Sequence, residues 1–317
     1  MVPYIDLFAP LNPHLYRSMH SGPRPAAVHS ATRNPPRILC REEETRANIA
    51  RFGFSDALYA PHTVWFPTQT LSRRQASVLP TATVLHLNYQ WSTEYFHFLT
   101  EVLPNVLLVH SAFPDWMPIH CPISRFTLAA FRWAGIPNPI IATPPPSGAV
   151  QWVPPYVECG NPSSQKIKAL RTVVEAKARF ESTHGILIRR HGTRELLNDE
   201  EVLATLRELA PHLTWVVYDM LPFDDTAELF SKAAWIVGPH GAGMTNMLFS
   251  PTGVQILECM PIRDTNVCYW HLAEMLGHSY SMLPLDCDAR GNMHVDLDQL
   301  RTYARQSPTM VLNQTGQ

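Results

Sequence analysis

From residue 184 to residue 305, short apolar runs alternate with stretches that open on helix-start signals, and this alternation decides the fold class. Gly185-Ile-Leu-Ile-Arg reads as a strand. Asn198, with Glu201 three residues on, forms a capping box for a helix over Glu200–Leu209. Leu213–Tyr218 is the next strand. Asp225 with Glu228 caps a helix through Lys232, Ala234–Val237 is a third strand, and Ala242–Phe249 is helical. Val254–Glu258 is a fourth strand, Val267–Leu276 a helix and Tyr280–Leu283 a fifth strand, and Asp296 with Gln299 caps a last helix through Arg305. Strands separated by single helices require right-handed crossovers and a parallel, Rossmann-like sheet.

Within this region the most specific segment is Trp235-Ile-Val-Gly-Pro-His-Gly-Ala-Gly-Met-Thr-Asn-Met-Leu-Phe. A buried strand runs through a glycine-rich turn straight into a helix. The amides of Gly241, Ala242 and Gly243 are thereby left unpaired at the positive helix end, an anion cradle. The segment lacks both GxGxxG and GxxxxGK[ST], which argues against dinucleotide binding and ATP hydrolysis. The competing explanation is a tight turn that needs glycine for positive φ. Glu258 ends the following strand at the carboxyl edge, where ligands of open α/β sheets bind and a carboxylate can accept both ribose hydroxyls. Arg189, Arg190 and Arg194 follow the first strand on the same edge. Arg189, at the strand end, is placed to neutralise a diphosphate; a solvated surface charge is the competing explanation for each of the three, with less force for Arg189 because of that position.

The first half is less regular. Thr83–Leu87 reads as a strand, Thr93–Val109 as an apolar helix bent or interrupted at Pro104, residues 124–134 as a helix, Ile140 and Trp152–Val157 as strand positions, and residues 10–38 as irregular. His97 and Glu101 stand at i, i+4 on one helix face, so a carboxylate can hold the imidazole as a general base; a structural His–Glu pair gives the same spacing.

A length of 317 residues suggests two domains. Residues 1–165 carry 11 basic and 9 acidic groups, and residues 166–317 carry 14 and 18. The change coincides with eight prolines between Ile136 and Ser163. The boundary is therefore placed at 165/166, with the last helix free to pack back on the N-terminal domain.

The 25 basic against 27 acidic side chains create no field for nucleic acid or anionic lipid, so any bound anion must be held locally. No apolar run reaches the ~18 residues of a membrane span. The proline-broken first thirty residues resemble neither signal nor anchor, and six cysteines without CxxC spacing fit reduced thiols; cytoplasmic location is the expectation. Asp286/Asp288 and Asp296/Asp298 have the DxD spacing that holds a divalent metal in some transferases, but Asp296 is better explained as a helix cap. Glu94/His97 and Glu181/His184 match ExxH without the two further glutamates of a di-iron site. No metal is expected.

Taken together, Ile188-Arg-Arg, Asn198-Asp-Glu-Glu and the run from Gly238-Pro-His-Gly-Ala-Gly to Gln255-Ile-Leu-Glu resemble the family 61 glycosyltransferases, as does the aromatic-His-Phe segment ahead of Leu103-Pro104. The resemblance covers roughly residues 85–285. It implies a GT-B architecture, two Rossmann-like domains facing across a cleft, with the donor on the C-terminal domain and the acceptor mainly on the N-terminal one. It also implies an inverting, metal-independent enzyme that moves GlcNAc or a pentose such as xylose from a UDP-sugar to a hydroxyl of a glycan or glycoprotein. On this reading His240, Arg189 and the turn Gly241, Ala242, Gly243 hold the diphosphate, aided by Arg190 and Arg194. Thr245 and Asn246 lie in the first turn of the helix, Glu258 takes the ribose, and His97 or Glu101 is the base. Because most eukaryotic members are anchored in the secretory pathway, the expectation is a bacterial cell or the cytoplasm of a virus-infected host. Two other readings share the site: a UDP-sugar epimerase that needs no acceptor, and an inactive relative that binds glycan or nucleotide.

Overall fold

The computed structural model describes residues 4–8, 37–41, 63–65, 83–87, 91–109, 118–142, 150–153, 164–261, 266 and 268–306. The chain divides into two compact units: Met1–Asn12 with Arg33–Lys177, and Pro13–Thr32 with Ala178–Gln317. The helix Ser164–Lys177 belongs to the first. Both units contain parallel sheet, as an α/β chain with crossover helices requires.

In the first unit, β1 (Tyr4–Phe8) and β2 (Arg37–Arg41) pair antiparallel. A separate parallel sheet contains β3 (Thr63–Trp65), β4 (Thr83–His86), β5 (Ile119–His120), β6 (Ile140–Ile141) and β7 (Val150–Val153), in the order β3-β7-β4-β5-β6. The expected helix over Thr93–Val109 is present in three pieces: Tyr95–His97, a π-helical turn over Phe98–Val102, and an α-helix over Leu103–Val109. The irregularity falls one turn before Pro104. Proline cannot donate to the carbonyl four residues back and its ring crowds that group, so the ladder is re-spaced on the N-terminal side. Thr100 Oγ1 donates back to the Phe96 carbonyl at 2.8 Å in the same turn. Phe98 is fully buried and packs edge-on against Phe131 of the helix Thr127–Ala134, which ends on Gly135 at φ 75°. Apart from residues 37 and 38, the stretch read as irregular over 10–38 lies outside the described residues.

The second unit holds β8 (His184–Ile188), β9 (Thr214–Tyr218), β10 (Ala233–Pro239), β11 (Gln255–Pro261) and β12 (Ser279–Leu285), all parallel, in the order β12-β11-β10-β8-β9. Counted within the unit, this is the doubly wound order 2-1-3-4-5, whose direction reverses between β8 and β10. Trp215 of β9 and Trp235 of β10 pack edge to face at 5.5 Å, with Leu203 and Leu206 of the helix Asp199–Leu209 in the same core. Gly185 makes room for this pair, since a Cβ there would lie 2.5 Å from the Trp215 ring.

Three local expectations change. Asn198 precedes its helix, but its side chain does not cap it. Its amide nitrogen donates to Glu201 and to the Val295 carbonyl, and its oxygen accepts the Val295 amide, so it fastens the C-terminal segment to the helix start. The next helix is Phe223–Phe230 with Pro222 at its N-cap, placing Asp225 inside the first turn. The segment Ala242–Phe249 is a 3-10 helix. The Asp296 cap forms as expected, its Oδ1 accepting the amides of Asp298 and Gln299. Cys121, Cys259, Cys268 and Cys287 are free thiols, and burial pushes those of Cys121 and Cys259 up to about 12.

Candidate functional site

The reversal of strand order brings the carboxyl ends of β8 and β10 side by side, where an open α/β sheet has its ligand crevice. Residues 188–190 leave β8 there, and residues 238–243 leave β10. The glycines of the β10 turn serve close approach. Gly241 is extended, at φ 160°, and neither Gly238 nor Gly243 has a positive φ. Instead, a Cβ on Gly238 would stand 2.6 Å from the Ile188 Cβ, one on Gly243 2.7 Å from its Cγ2, and one on Gly241 1.9 Å from Arg190 Nη1. The turn is glycine-rich because the end of β8 lies against it, which removes the positive-φ explanation. Beyond Gly241 the first intrahelical bond runs from the Met244 amide to the Gly241 carbonyl, so the amides of Ala242 and Gly243 stand ahead of the helical ladder.

The two adjacent arginines part company. Arg189 turns to the start of the helix Asp199–Leu209, its Nε donating to Asp199 and its Nη2 to Glu200, both at 2.5 Å, and these bonds raise its pKa. Arg190 turns to the glycine turn, donating to the Thr193 carbonyl at 2.6 Å and, from Nη1, to the His240 carbonyl at 3.4 Å. Burial first, then the Arg194 guanidinium, lower the Arg190 pKa. Arg194 is held in the left-handed region at φ 57°, and its amide donates to the Arg290 carbonyl. Neither Arg190 nor Arg194 has a carboxylate partner among the described residues. Two neighbouring cations, one of them half-buried, thus face each other without a counter-charge, which suits an anionic ligand.

His240 is the best-held side chain of the site. Its amide donates to the Cys259 carbonyl at 2.9 Å, its Nδ1 lies 2.5 Å from Glu258 Oε1, and the edge of Tyr269 meets its ring at 5.1 Å. Glu258 has no solvent exposure, and its second oxygen accepts the Tyr280 hydroxyl. Burial raises the Tyr269 phenol well above its ordinary range, so it stays neutral. The ribose role expected of Glu258 does not suit this arrangement, because both carboxylate oxygens are engaged inside the protein. Thr245 and Asn246 are also fully buried, in the interior of the unit rather than at its surface. Tyr269 and Tyr280 carried no signal in the sequence. Tyr280 reaches Glu258 because β12 lies beside β11 with Ile256 opposite Tyr280.

In the first unit, His97 Nδ1 lies 3.0 Å from Glu101 Oε1, forming the expected i, i+4 pair across the junction into the π turn. The His97 side chain is 19% exposed and that of Glu101 3%. Asp288 is structural: Oδ1 accepts the amides of Arg290 and Asn292 and Oδ2 the Asn292 side chain, and these bonds, the Asn292 amide foremost, hold its pKa down. Among the described residues no three His, Cys, Asp or Glu side chains cluster as a metal site, and no helix is long and apolar enough to cross a membrane.

The chain is 36% identical over 95 residues to the EGF domain-specific O-linked N-acetylglucosamine transferase of Drosophila melanogaster, covering 30% of this chain and 18% of that protein. The mouse protein of the same name is 32% identical over 98 residues, with the same coverage. A beta-1,2-xylosyltransferase of rice, XAX1, is 37% identical over 76 residues, or 24% of this chain and 13% of that one. The matched stretches thus span less than a fifth of each relative. The Glycosyltransferase 61 family model matches residues 95–257, from the His97 helix to the strand that carries Glu258, and the chain belongs to this family.

Proposed function

We propose that the protein is an inverting glycosyltransferase of the GT-B type that moves GlcNAc or a pentose such as xylose from a UDP-sugar to a hydroxyl of a glycan or glycoprotein, without a metal ion. The C-terminal unit takes the donor and the N-terminal unit the acceptor. Relatives named for GlcNAc and xylose transfer supply the two sugars. The observation that carries the reading is the pair Arg190 and Arg194, without carboxylate partners among the described residues, beside His240 and the free amides of the turn at the strand-order reversal. Arg189 is outside this donor set, because Asp199 and Glu200 already balance it.

Inversion is a single in-line displacement. A base takes the proton of the acceptor hydroxyl as its oxygen attacks the anomeric carbon; the bond from that carbon to the diphosphate oxygen breaks and its electron pair stays on the diphosphate. Arg190, Arg194, His240 and the amides of Ala242 and Gly243 meet that charge. His97 is the base, its Nδ1 held by Glu101 so that Nε2 receives the proton.

Thermal-shift measurements against UDP, GDP, CMP, UDP-GlcNAc, UDP-xylose and NAD, with and without Mn²⁺, test the donor assignment. A ligand at about 100 times its Kd stabilises by about 2.7 kcal/mol, a readable shift. The expected result is a UDP-selective, metal-independent shift that is lost in Arg190→Ala. Absence of a shift with every nucleotide would remove the transferase reading, and turnover of UDP-sugar without acceptor would favour an epimerase.

A further inference from the structure

We propose that Glu258 is a positioning residue that acts through His240, with Tyr280 holding it in place; this rests on the diphosphate site proposed above. Three strand-borne side chains form a line running inward from the glycine turn: His240 just past β10, Glu258 on β11 and Tyr280 on β12. The Tyr280 hydroxyl donates to Oε2 of Glu258, and Oε1 faces Nδ1 of His240. A carboxylate only accepts, so Nδ1 carries its hydrogen toward Glu258. With the backbone N–H given to Cys259 and the carbonyl touched by Arg190, Nε2 is the one polar atom of His240 that no group among the described residues engages. Against an anion it serves as an N–H donor, with Glu258 balancing the imidazolium, as an outer carboxylate does for histidines at metal sites.

This arrangement separates two roles for Glu258. A ribose contact would affect UDP and leave inorganic pyrophosphate untouched. A residue that aims His240 at phosphate affects both, and only while His240 is present.

The test uses the full chain, with UDP and inorganic pyrophosphate as calorimetric probes and selective ¹⁵N-histidine labelling for the ring. In the free wild-type protein the ¹⁵N shifts should show His240 protonated at Nδ1, a signature altered in Glu258→Gln. Dissociation constants for both probes should rise about tenfold in Glu258→Gln, the scale of one charge-assisted hydrogen bond, and about threefold in Tyr280→Phe, which deletes one hydroxyl and keeps the ring if the carboxylate variant folds poorly. In a His240→Ala background neither change should weaken binding further. Weakened UDP binding with unchanged pyrophosphate binding would overturn the proposal in favour of a ribose contact, and equal losses with and without His240 would overturn it in favour of a structural role. If the wild-type chain binds pyrophosphate without preferring UDP, the UDP-sugar reading fails and the positioning role stands; if it binds neither probe, both fail.

Discussion

Among the described residues, besides the exposed pair His191–Asp219, two His–carboxylate pairs of the same chemistry are built in opposite ways. His97 and Glu101 are four residues apart on one helix, and the histidine keeps part of its surface. His240 and Glu258 are 18 residues apart, the first just past β10 and the second on the neighbouring β11, with the carboxylate sealed from solvent and tied to a third strand by Tyr280. A histidine that exchanges protons with substrate needs access and a partner that turns with it on one element. A histidine that presents a fixed donor to a bound anion needs its ring clamped by groups that cannot move together, which is what three separate strands provide.

The largest expected effect breaks the comparison on the helix side. His97→Ala should lower turnover of UDP-sugar by about 10²–10⁴-fold, the contribution of a positioned general base, while the Kd for UDP stays at its wild-type value. Rate and affinity falling together would mean that the two pairs do not divide the work. His240→Ala should give the converse, weaker UDP binding before any effect specific to proton transfer.

A second comparison lies within two consecutive residues. Arg190→Ala should weaken UDP binding by about 1.5–3 kcal/mol, as expected for losing hydrogen bonds from a charged donor, measured by calorimetry. Arg189→Ala should leave the UDP Kd unchanged and lower thermal stability slightly, because its bonds to Asp199 and Glu200 are partly exposed and such pairs contribute about 0–1 kcal/mol. Gly241→Ala sharpens the contrast. Its Cβ would displace the Arg190 guanidinium without removing any charge, so UDP affinity should fall as in Arg190→Ala while the melting temperature holds. Equal affinity loss in the Arg189 and Arg190 variants would show that the local pairing of Arg189 gives way when ligand arrives.

These contrasts also mark what was legible before the structure. The parallel sheet of the second unit was, because apolar runs and helix starts are local, and so was the His97–Glu101 pair, because i, i+4 contact follows from helix geometry alone. The His240–Glu258–Tyr280 line was not: it depends on which strands are neighbours and in what register, and β11 could have been read with any partner. The fate of Arg189 depended on Asp199 and Glu200, visible as acids at a helix start but not as competitors for an arginine ten residues earlier. Asn198 shows the same limit, its capping signal being genuine and its side chain drawn away by Val295, 97 residues on. The π turn before Pro104 was half-legible, since proline announces an irregularity while the surrounding packing decides on which side it falls.

The smallest expected effect compares two buried histidines of the second unit. His240 has a carboxylate at Nδ1, whereas His271, on the helix Cys268–Leu276, has no hydrogen-bond partner at either ring nitrogen among the described residues. Burial pushes His271 down to about 3 from an ordinary 6.5. Below pH 6.5 the unfolded chain takes up a proton at this position that the native chain refuses until about pH 3, so acid favours unfolding. The stability is intact above pH 6.5 and lost as pH falls through that window, with a limiting slope of about 1.4 kcal/mol per pH unit from this one group. Urea unfolding at pH 7, 6 and 5 should therefore show His271→Leu with a shallower acid decline than wild type, the stability difference moving in the variant's favour as pH falls. Parallel curves would mean that the native chain takes up a proton at His271 as readily as the unfolded chain does.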